Sequence, residues 1–236
     1  MIRAVIVDVD DTLCLTEAAS FDLENEVLAQ MDRPPMTRAV HLATWGEPLL
    51  DAMPHRSPGL DLGRFAELFP VEHRRYLAEG RLDVIPPENL AALDRLVEDG
   101  HTVLLLTSRA EAEVMHLLEP DHILAGRVTG AYHQGNTRFR KPDPRVFDEL
   151  LAETGFRPAQ CVYVGDSPGD AVAAGGAGIH FIACLQSGVR RLGEFEARYV
   201  TAAVDTFPEI IPAIRALQEG REAEAEHHAE RGAQQR

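Results

Sequence analysis

Four short apolar runs, each followed by a turn or by polar residues, constrain the fold of this chain more than any other feature. They are RAVIVD from Arg3, TVLLLTSR from Thr102, CVYVGDSPGD from Cys161 and IHFIAC from Ile179. Each run is short, rich in branched residues and bounded by turn signals, as expected of strands buried on both faces of a parallel sheet. The sequence therefore predicts a parallel sheet as the centre of the fold.

Helical patterns lie between these runs. The segment PPENLAALDRLVEDG, residues 86–100, stops at a glycine and places four apolar residues on one helical face: Leu90, Leu93, Leu96 and Val97. The segment DPRVFDELLAETG, residues 143–155, offers Asp143 as a cap and Pro144 as the first helical residue, and stops at Gly155. Alternating strands and helices predict an α/β fold, a doubly wound parallel sheet with right-handed crossovers.

One long segment breaks this alternation. Residues 15–85 contain no buried-strand run but include the helix-like stretches EAASFDLENEVLAQM and LGRFAELF. Because this segment is too long for a crossover loop, we expect an inserted helical domain with its own small core. The core domain would then comprise residues 1–14 and 86–218, and residues 219–236, which lack large apolar side chains, would form a polar and acidic tail.

Composition excludes several classes of partner. The formal net charge is −15 and the pI is about 5.0, so a nucleic-acid backbone would be repelled. No run of 18 apolar residues suggests a membrane span, and the amino terminus lacks a secretory pattern, so we expect a cytoplasmic protein. The three cysteines, Cys14, Cys161 and Cys184, are too few for a disulfide framework and are expected to be reduced and buried. The sequence carries no signal for an oligomeric state.

Polar residues follow three of the predicted strands. Asp8, Asp10, Asp11 and Thr12 follow the first; Thr107, Ser108 and Arg109 follow the second; Asp166 and Asp170 follow the third. In an open α/β sheet, ligands bind beyond the carboxyl ends of the strands. Several carboxylates in one crevice need a cation, and oxygen ligands alone suit magnesium better than zinc. Such a site suits phosphate esters, because the cation offsets repulsion between a carboxylate nucleophile and a phosphoryl group.

The only lysine in the chain, Lys141, fits the same chemistry. Lys and Arg together number 23, yet a single ammonium is kept, immediately before Pro142. A compact ammonium can contact both a nucleophilic carboxylate and a phosphate, whereas an Arg fork needs a different geometry.

In this order, DVDDTL at 8–13, Thr107 after an apolar strand, KP at 141–142 and GDSPGD at 165–170 resemble the four motifs of the haloacid dehalogenase (HAD) superfamily. The resemblance covers residues 1 to about 215. It includes the helical insertion, which is similar to the type 1 cap of the phosphoglycolate phosphatase-like branch. It implies a magnesium-dependent phosphatase that acts on a small phosphorylated metabolite, with a phosphoglycolate-like ester as the candidate.

The resemblance also implies a role for each motif residue. Asp8 would attack phosphorus and form an aspartyl phosphate, and Asp10 would protonate the leaving alcohol and then activate water. Thr107, helped by Ser108, would hold the phosphoryl group, and Lys141 would anchor both Asp8 and the phosphate. The expected magnesium ligands are Asp8, the main-chain carbonyl of Asp10, and Asp166, with Asp170 supporting either the metal or the lysine.

Some of these residues have structural alternatives. Asp10, Asp11 and Thr12 could cap a helix, and Ser167 before Pro168 is a cap pattern. Asp11 also stands where the family most often has Gly, so we expect a changed turn or local charge there.

Three functions remain compatible with the motifs. Asp10 argues against a dehalogenase, and a cap without lysine argues against a phosphonate hydrolase. A sugar phosphomutase keeps all four motifs and stays open beside the phosphatase, as does a catalytically silent domain that binds a phosphorylated ligand or a protein partner.

The insertion is expected to recognise the substrate and to close over the site. One or two cationic or aromatic residues should reach the site from this set: Arg33, Arg38, His41, Trp45, His55, Arg56, Arg64, His73, Arg74 and Arg75. Hinges are expected at residues 13–17 and 82–87.

Overall fold

The computed structural model describes residues 1–220 and has a six-stranded, all-parallel sheet at its centre. The strands are β1 (Ala4–Val7), β2 (Thr102–Leu106), β3 (Gly130–Tyr132), β4 (Cys161–Gly165), β5 (His180–Cys184) and β6 (Ala202–Val204). Their order in the sheet is β3-β2-β1-β4-β5-β6, so the chain reverses its direction of travel between β1 and β4. The predicted doubly wound parallel sheet is confirmed.

The four predicted strands form the middle of the sheet, and two strands were not predicted. β3 and β6 are three residues each and lie at the two edges. Their sequences, GAY and AAV, are too short and too weakly apolar to stand out as buried runs. They are held by pairing with β2 and β5, a tertiary contact that local pattern does not reveal.

Residues 1–220 contain eight longer helical segments, some packed on the sheet and some in the insertion. They are α1 (Glu17–Gln30), α2 (Arg38–Ala43), α3 (Leu49–Arg56), α4 (Leu62–Ala78), α5 (Pro87–Glu98), α6 (Asp148–Thr154), α7 (Pro168–Gly176) and residues 210–220. As predicted, Asp143 caps the turn that begins at Pro144, and Gly155 ends α6 with a positive φ of 69°. That turn is a short 3₁₀ helix continuing into α6.

Strand side chains alternate between two apolar layers. Val5 and Val7 face the layer that contains α5 and residues 210–220, whereas Ala4 and Ile6 face the layer that contains α6 and α7. In α5, Leu93 and Leu96 are buried and Leu90 is partly buried. Val97 is 42% exposed, so its predicted place on the buried face is wrong. It lies at the margin of the stripe, where the sheet no longer covers the helix.

Helices α1 to α4 form a separate layer with its own apolar cluster. Leu23 and Val27 from α1 pack with Met53, Phe65 and Tyr76 from α3 and α4. The connections back to the sheet pass through residues 13–17 and 82–87, and the Asn89 side chain donates a 2.9 Å hydrogen bond to the Leu13 carbonyl, which ties these connections together. The domain boundaries at residues 15 and 85 stay a prediction.

Two further expectations concern burial and the termini. Cys14, Cys161 and Cys184 are all buried and free, as predicted. Most of the predicted tail, residues 221–236, lies outside the described residues. Within residues 1–220, none of the helices combines the length and apolarity needed to cross a membrane.

Candidate active site

The predicted site residues converge at the carboxyl edge of the sheet. Asp8 directly follows β1, Thr107 follows β2 and Asp166 follows β4, and each is only 5% exposed. Because β1 pairs with both β2 and β4, these three residues come from adjacent strands. Lys141 enters from the segment between β3 and α6. The predicted convergence of separate motifs is therefore observed.

Lys141 is the centre of a buried polar cluster. Its Nζ lies 2.9 Å from Asp8 Oδ2 and 2.7 Å from Asp170 Oδ1, and it also contacts the Tyr163 hydroxyl at 3.0 Å. Burial lowers the pKa of Lys141, but the Asp170 and Asp8 carboxylates outweigh burial and the net shift is upward. The ammonium therefore stays charged and fixed between the two carboxylates.

Asp170 is held by the start of α7. Ser167 is the N-cap, and its hydroxyl accepts a 3.2 Å hydrogen bond from the Asp170 backbone N–H. In return, the Ser167 backbone N–H and hydroxyl donate to Asp170 Oδ2 at 3.0 and 2.7 Å. A Cβ at Gly165 would lie 2.7 Å from that oxygen, so the close approach requires glycine there.

Carboxylate oxygens of Asp8, Asp166 and Asp170 lie within 4.8 Å of one another. Burial, together with the neighbouring Asp170 and Asp10 carboxylates, raises the pKa of Asp8 to about 7 despite Lys141. Burial, with Asp170 and Asp8, likewise raises the pKa of Asp166. One lysine does not offset this concentration of negative charge, and an all-oxygen donor set fits a hard divalent cation. The cluster therefore could hold a metal ion.

The Asp10 carboxylate is bound by one cationic donor, Arg109, and one hydroxyl donor, Thr16. Arg109 donates from Nη2 to Asp10 Oδ1 at 2.7 Å and from Nε to Asp10 Oδ2 at 3.1 Å. The Thr16 hydroxyl donates to the same Oδ1 at 2.8 Å. Arg109 Nη2 also donates to Asp83 at 2.6 Å, and Asp83 contacts His116 at 2.7 Å. Arg109 thus connects Asp10 to residues 82–87, the second of the two connections between the helical insertion and the sheet.

Asp11 has the changed turn that its sequence position suggested. Its φ is 52°, in the left-handed region that Asp tolerates better than most residues. Its Oδ1 accepts hydrogen bonds from the backbone N–H groups of Thr16 and Glu17, at 3.0 and 3.2 Å, so Asp11 caps α1. The capping role that we considered for the Asp10–Thr12 segment therefore falls to Asp11, and the Asp10 side chain remains directed at Arg109.

Two small cavities meet at Asp10. The first, of about 20 Å³, is bounded by Asp8, Lys141, Ser108 and Asp166 together with Trp45 and Gly46 of the insertion. The second, of about 90 Å³, lies between the insertion and the loop after β2 and includes Arg56, His73 and Arg109 in its lining. A small space beside Asp8 thus adjoins a larger space beneath the insertion.

Three of the ten insertion residues singled out in the sequence line the second cavity: Trp45, Arg56 and His73. Arg74 lines a neighbouring cavity. Others have different partners, such as Arg38, which pairs with Glu17, and Arg75, which pairs with glutamates on the exposed surface. We expected one or two of the ten residues to reach the site, and three line the second cavity.

The model of a known family, haloacid dehalogenase-like hydrolase, matches residues 5–184. The chain belongs to this family. It is 31% identical over 188 residues to a phosphoglycolate phosphatase from Rhodospirillum rubrum, covering 76% of this chain and 78% of that protein. It is 28% identical over 198 residues to the plasmid protein CbbY from Cupriavidus necator, covering 75% of this chain and 76% of that protein.

Two solved structures illustrate the fold that this chain shares with other proteins. The putative haloacid dehalogenase-like hydrolase from Bacteroides fragilis superposes with a TM-score of 0.77 at 20% identity, over 89% of this chain and all of that chain. CbbY from Rhodobacter sphaeroides in complex with phosphate superposes with a TM-score of 0.75 at 21% identity, over 89% of this chain and 96% of that chain. At these identities the comparison shows the fold alone.

Several residues of this haloacid dehalogenase-like site were not predicted. Tyr163 is an interior residue of β4, and nothing in the sequence marks its hydroxyl as a partner of Lys141. Arg109 was noted as polar, but its contact with Asp83 joins residues 26 positions apart in sequence. The connection from Asp10 through Arg109 to Asp83 depends on tertiary packing, although an Arg directly after the Thr107–Ser108 pair could have drawn attention to it.

Proposed function

We propose that this protein is a magnesium-dependent phosphatase that hydrolyses a small phosphate monoester through an aspartyl-phosphate intermediate on Asp8. The contact of 2.9 Å between Lys141 Nζ and Asp8 Oδ2, beside a buried carboxylate cluster, carries the proposal. Membership of the haloacid dehalogenase-like hydrolase family and relatives named phosphoglycolate phosphatase support it. The cytoplasmic location stays a prediction.

In the first step, the ester's phosphoryl group occupies the space beside Asp8, Ser108 and Lys141, and an Asp8 oxygen attacks phosphorus. The Thr107 and Ser108 hydroxyls and the Lys141 ammonium bind the non-bridging oxygens. Lys141 also orients the nucleophile, because it holds Asp8 Oδ2 while the Val9 backbone N–H donates to Oδ1 at 2.8 Å. The P–O bond to the alcohol breaks as the P–O bond to Asp8 forms.

Asp10 supplies the proton that the leaving alcohol takes up. In the second step, the same carboxylate removes a proton from the water that attacks the aspartyl phosphate, which returns Asp8 and releases inorganic phosphate. Asp10 suits this role because it lines both the small cavity beside Asp8 and the larger one beneath the insertion. Release of Asp10 from Arg109 and Thr16 would let it turn toward the ester.

Asp8, the main-chain carbonyl of Asp10, and Asp166 are the proposed magnesium ligands. When bound, magnesium would neutralise the carboxylates and polarise the phosphoryl group. We assign Asp170 to the lysine rather than to direct metal binding, because its two oxygens already accept hydrogen bonds from Lys141, Tyr163 and Ser167. Asp170 thereby fixes the position of the ammonium.

Release of inorganic phosphate from a panel of small monoesters tests the proposal. Turnover should require magnesium and be abolished by chelator or by Asp8→Asn, whereas Asp143→Asn, at a partly exposed helix-capping residue, should retain activity. A sugar phosphomutase would return the phosphoryl group to the sugar and release little phosphate. A silent binding domain would bind esters without turnover, and either result would refute the phosphatase.

A further inference from the structure

The cavity of about 90 Å³ beneath the insertion is where the leaving group of an ester must lie. It adjoins Asp10, which has to reach the leaving oxygen, and it lies next to the small space beside Asp8. The charged side chains that line it therefore determine which leaving groups are accepted. Two arginines contribute to this lining, Arg56 from α3 and Arg109 from the loop after β2.

Arg56 is fully engaged by the insertion itself. Its Nη1 donates to both oxygens of Glu24, at 2.6 and 2.7 Å, while Nε and Nη2 donate to the Thr44 hydroxyl and carbonyl at 2.8 and 3.0 Å. The side chains of Arg56 and Glu24 are 1% and 2% exposed. Redirecting this guanidinium toward a ligand would leave a buried carboxylate unpaired, which is strongly unfavourable.

Arg109 is engaged as well, and its contact with the buried Asp83 remains when Asp10 turns toward the ester. Its donors go to Asp10, to Asp83 and, from Nη1, to the Glu113 carbonyl at 3.1 Å. The imidazole of His73 also lines the cavity, and burial together with the Arg109 charge lowers its pKa to about 4. At neutral pH, His73 therefore adds no positive charge to the cavity.

Carboxylates make the remaining charged lining. The negative charges of Glu24 and Asp10 are balanced by Arg56 and Arg109. Glu113 accepts a 2.8 Å hydrogen bond from the Ala110 backbone N–H. Glu47 is exposed, directly precedes Pro48 and α3, and forms no ion pair within residues 1–220. Glu47 thus places an uncompensated negative charge at the cavity, where a second anionic group of a substrate would have to bind.

We propose that the preferred substrates carry no negative charge on the leaving group, so that a neutral, hydroxyl- or amide-bearing alcohol is favoured over a carboxylate such as glycolate. This inference rests on the proposed phosphatase function. A neighbouring cavity of about 420 Å³ shares Leu49, Phe69 and His73 with the first, so leaving groups longer than glycolate can be accommodated. Its lining also contains Arg74 and Arg140, which could bind an anionic group at the far end of a long substrate. The test therefore includes a substrate of that kind.

Phosphoglycolate and phosphoglycolamide provide the matched test. The two esters have nearly the same shape and differ by one negative charge on the leaving group. With the magnesium-loaded full chain, we expect the amide to have about tenfold or more higher kcat/KM, as expected for repulsion at close range in a partly desolvated cleft. Equal values, or a preference for the acid, would overturn the inference.

A charge-neutral variant tests whether Glu47 causes the discrimination. Glu47→Gln should raise kcat/KM for phosphoglycolate and reduce the amide-to-acid ratio about threefold or more. Glu67→Gln, at an exposed position on α4 outside both cavities, should leave the ratio unchanged. A ratio unaffected by Glu47→Gln would contradict the assignment to Glu47.

Further substrates distinguish failure of this inference from failure of the proposed function. A bisphosphate with a distant second phosphate that is preferred to every neutral ester would overturn the inference and assign Arg74 and Arg140 to that phosphate. Turnover of p-nitrophenyl phosphate, with phosphoglycolate and phosphoglycolamide turned over equally well, would overturn the inference alone. Absence of magnesium-dependent turnover on every ester would overturn the phosphatase function and the inference with it.

Discussion

The Trp45 indole N–H donates a 2.6 Å hydrogen bond to Asp11 Oδ2, which joins the helical insertion to the loop after β1. The Trp45 carbonyl also accepts a 3.0 Å hydrogen bond from Arg190, in the segment after β5. Gly46, with a φ of 95°, follows directly and lines the small cavity beside Asp8. The Trp45–Gly46 pair thus covers the site, and Asp11 is one of its anchors.

Asp11→Gly tests that anchor, because glycine is the residue most common in the family. The variant should lose the Trp45 bond and the cap of α1, and the free energy of unfolding should fall by about 1–2 kcal/mol even though glycine relaxes the positive φ. Trp45 is the only tryptophan, so its fluorescence emission during urea unfolding and on magnesium binding reports the contact directly.

Asp32→Gly is the matched control. Asp32 has a similar φ of 55° but is exposed and caps no helix. Its replacement should leave stability unchanged or slightly raised and should not alter Trp45 emission. Equal behaviour of the two variants would show that Asp11 contributes only its backbone conformation.

Replacement of the single lysine by arginine tests geometry separately from charge. Lys141→Arg keeps the positive charge but places a planar fork where one nitrogen contacts Asp8, Asp170 and Tyr163. We expect kcat/KM to fall about 100-fold or more, measured by phosphate release. The neighbouring Arg140→Lys, at an exposed residue paired with Asp51, should be near wild type. Full activity of Lys141→Arg would mean that charge alone suffices.

Arg109 and Asp83 should be energetically coupled. Both side chains are largely buried, at 11% and 5% exposed, and Arg109 holds the pKa of Asp83 below its usual range although burial opposes this. A double-mutant cycle with Arg109→Gln and Asp83→Asn should give a coupling of about 1–3 kcal/mol in urea unfolding.

The same variants should differ in catalysis. Arg109→Gln should lower kcat more than Asp83→Asn, because only Arg109 contacts Asp10 directly. A coupling below about 0.5 kcal/mol, or equal kcat losses, would contradict the idea that Arg109 connects Asp10 to Asp83.

His73 should make stability depend on pH. Its pKa is lowered to about 4, so the unfolded chain binds a proton near pH 6.5 that the folded chain does not. The stabilising contribution is therefore complete above pH 6.5 and is lost as the pH falls toward 4. His73→Gln should reduce the loss of unfolding free energy between pH 7.5 and 5 by about 1 kcal/mol, after allowance for solvent screening. His55→Gln, at an exposed position, should not, and an unchanged pH slope in His73→Gln would refute the assignment.

The core of the fold and the position of the site were predictable from the sequence for a physical reason. Buried parallel strands must be continuous apolar runs, and Asp8, Thr107 and Asp166 immediately follow such runs. The order of the strands in the sheet then brings these residues together. Lys141 was recognisable because a unique lysine stands before Pro142 in the motif order.

Other features depend on contacts between distant segments. β3 and β6 exist because neighbouring strands pair with them, and Val97 lies just beyond the area that the sheet covers. The engagement of Arg56 by Glu24 could not be read from a sequence in which both residues look like ordinary surface charges. Sequence therefore located the phosphoryl site better than the leaving-group cavity.

Covalent phosphorylation of Asp8 is the most direct test of the account. The magnesium-loaded enzyme would be mixed with a monoester, quenched early in turnover and treated with borohydride, which reduces an acyl phosphate, and peptide mass spectrometry would follow. The account predicts homoserine at position 8, dependent on both substrate and magnesium and absent from Asp8→Asn. Rapid turnover with unmodified Asp8, or with reduction at a different carboxylate, would contradict the central claim.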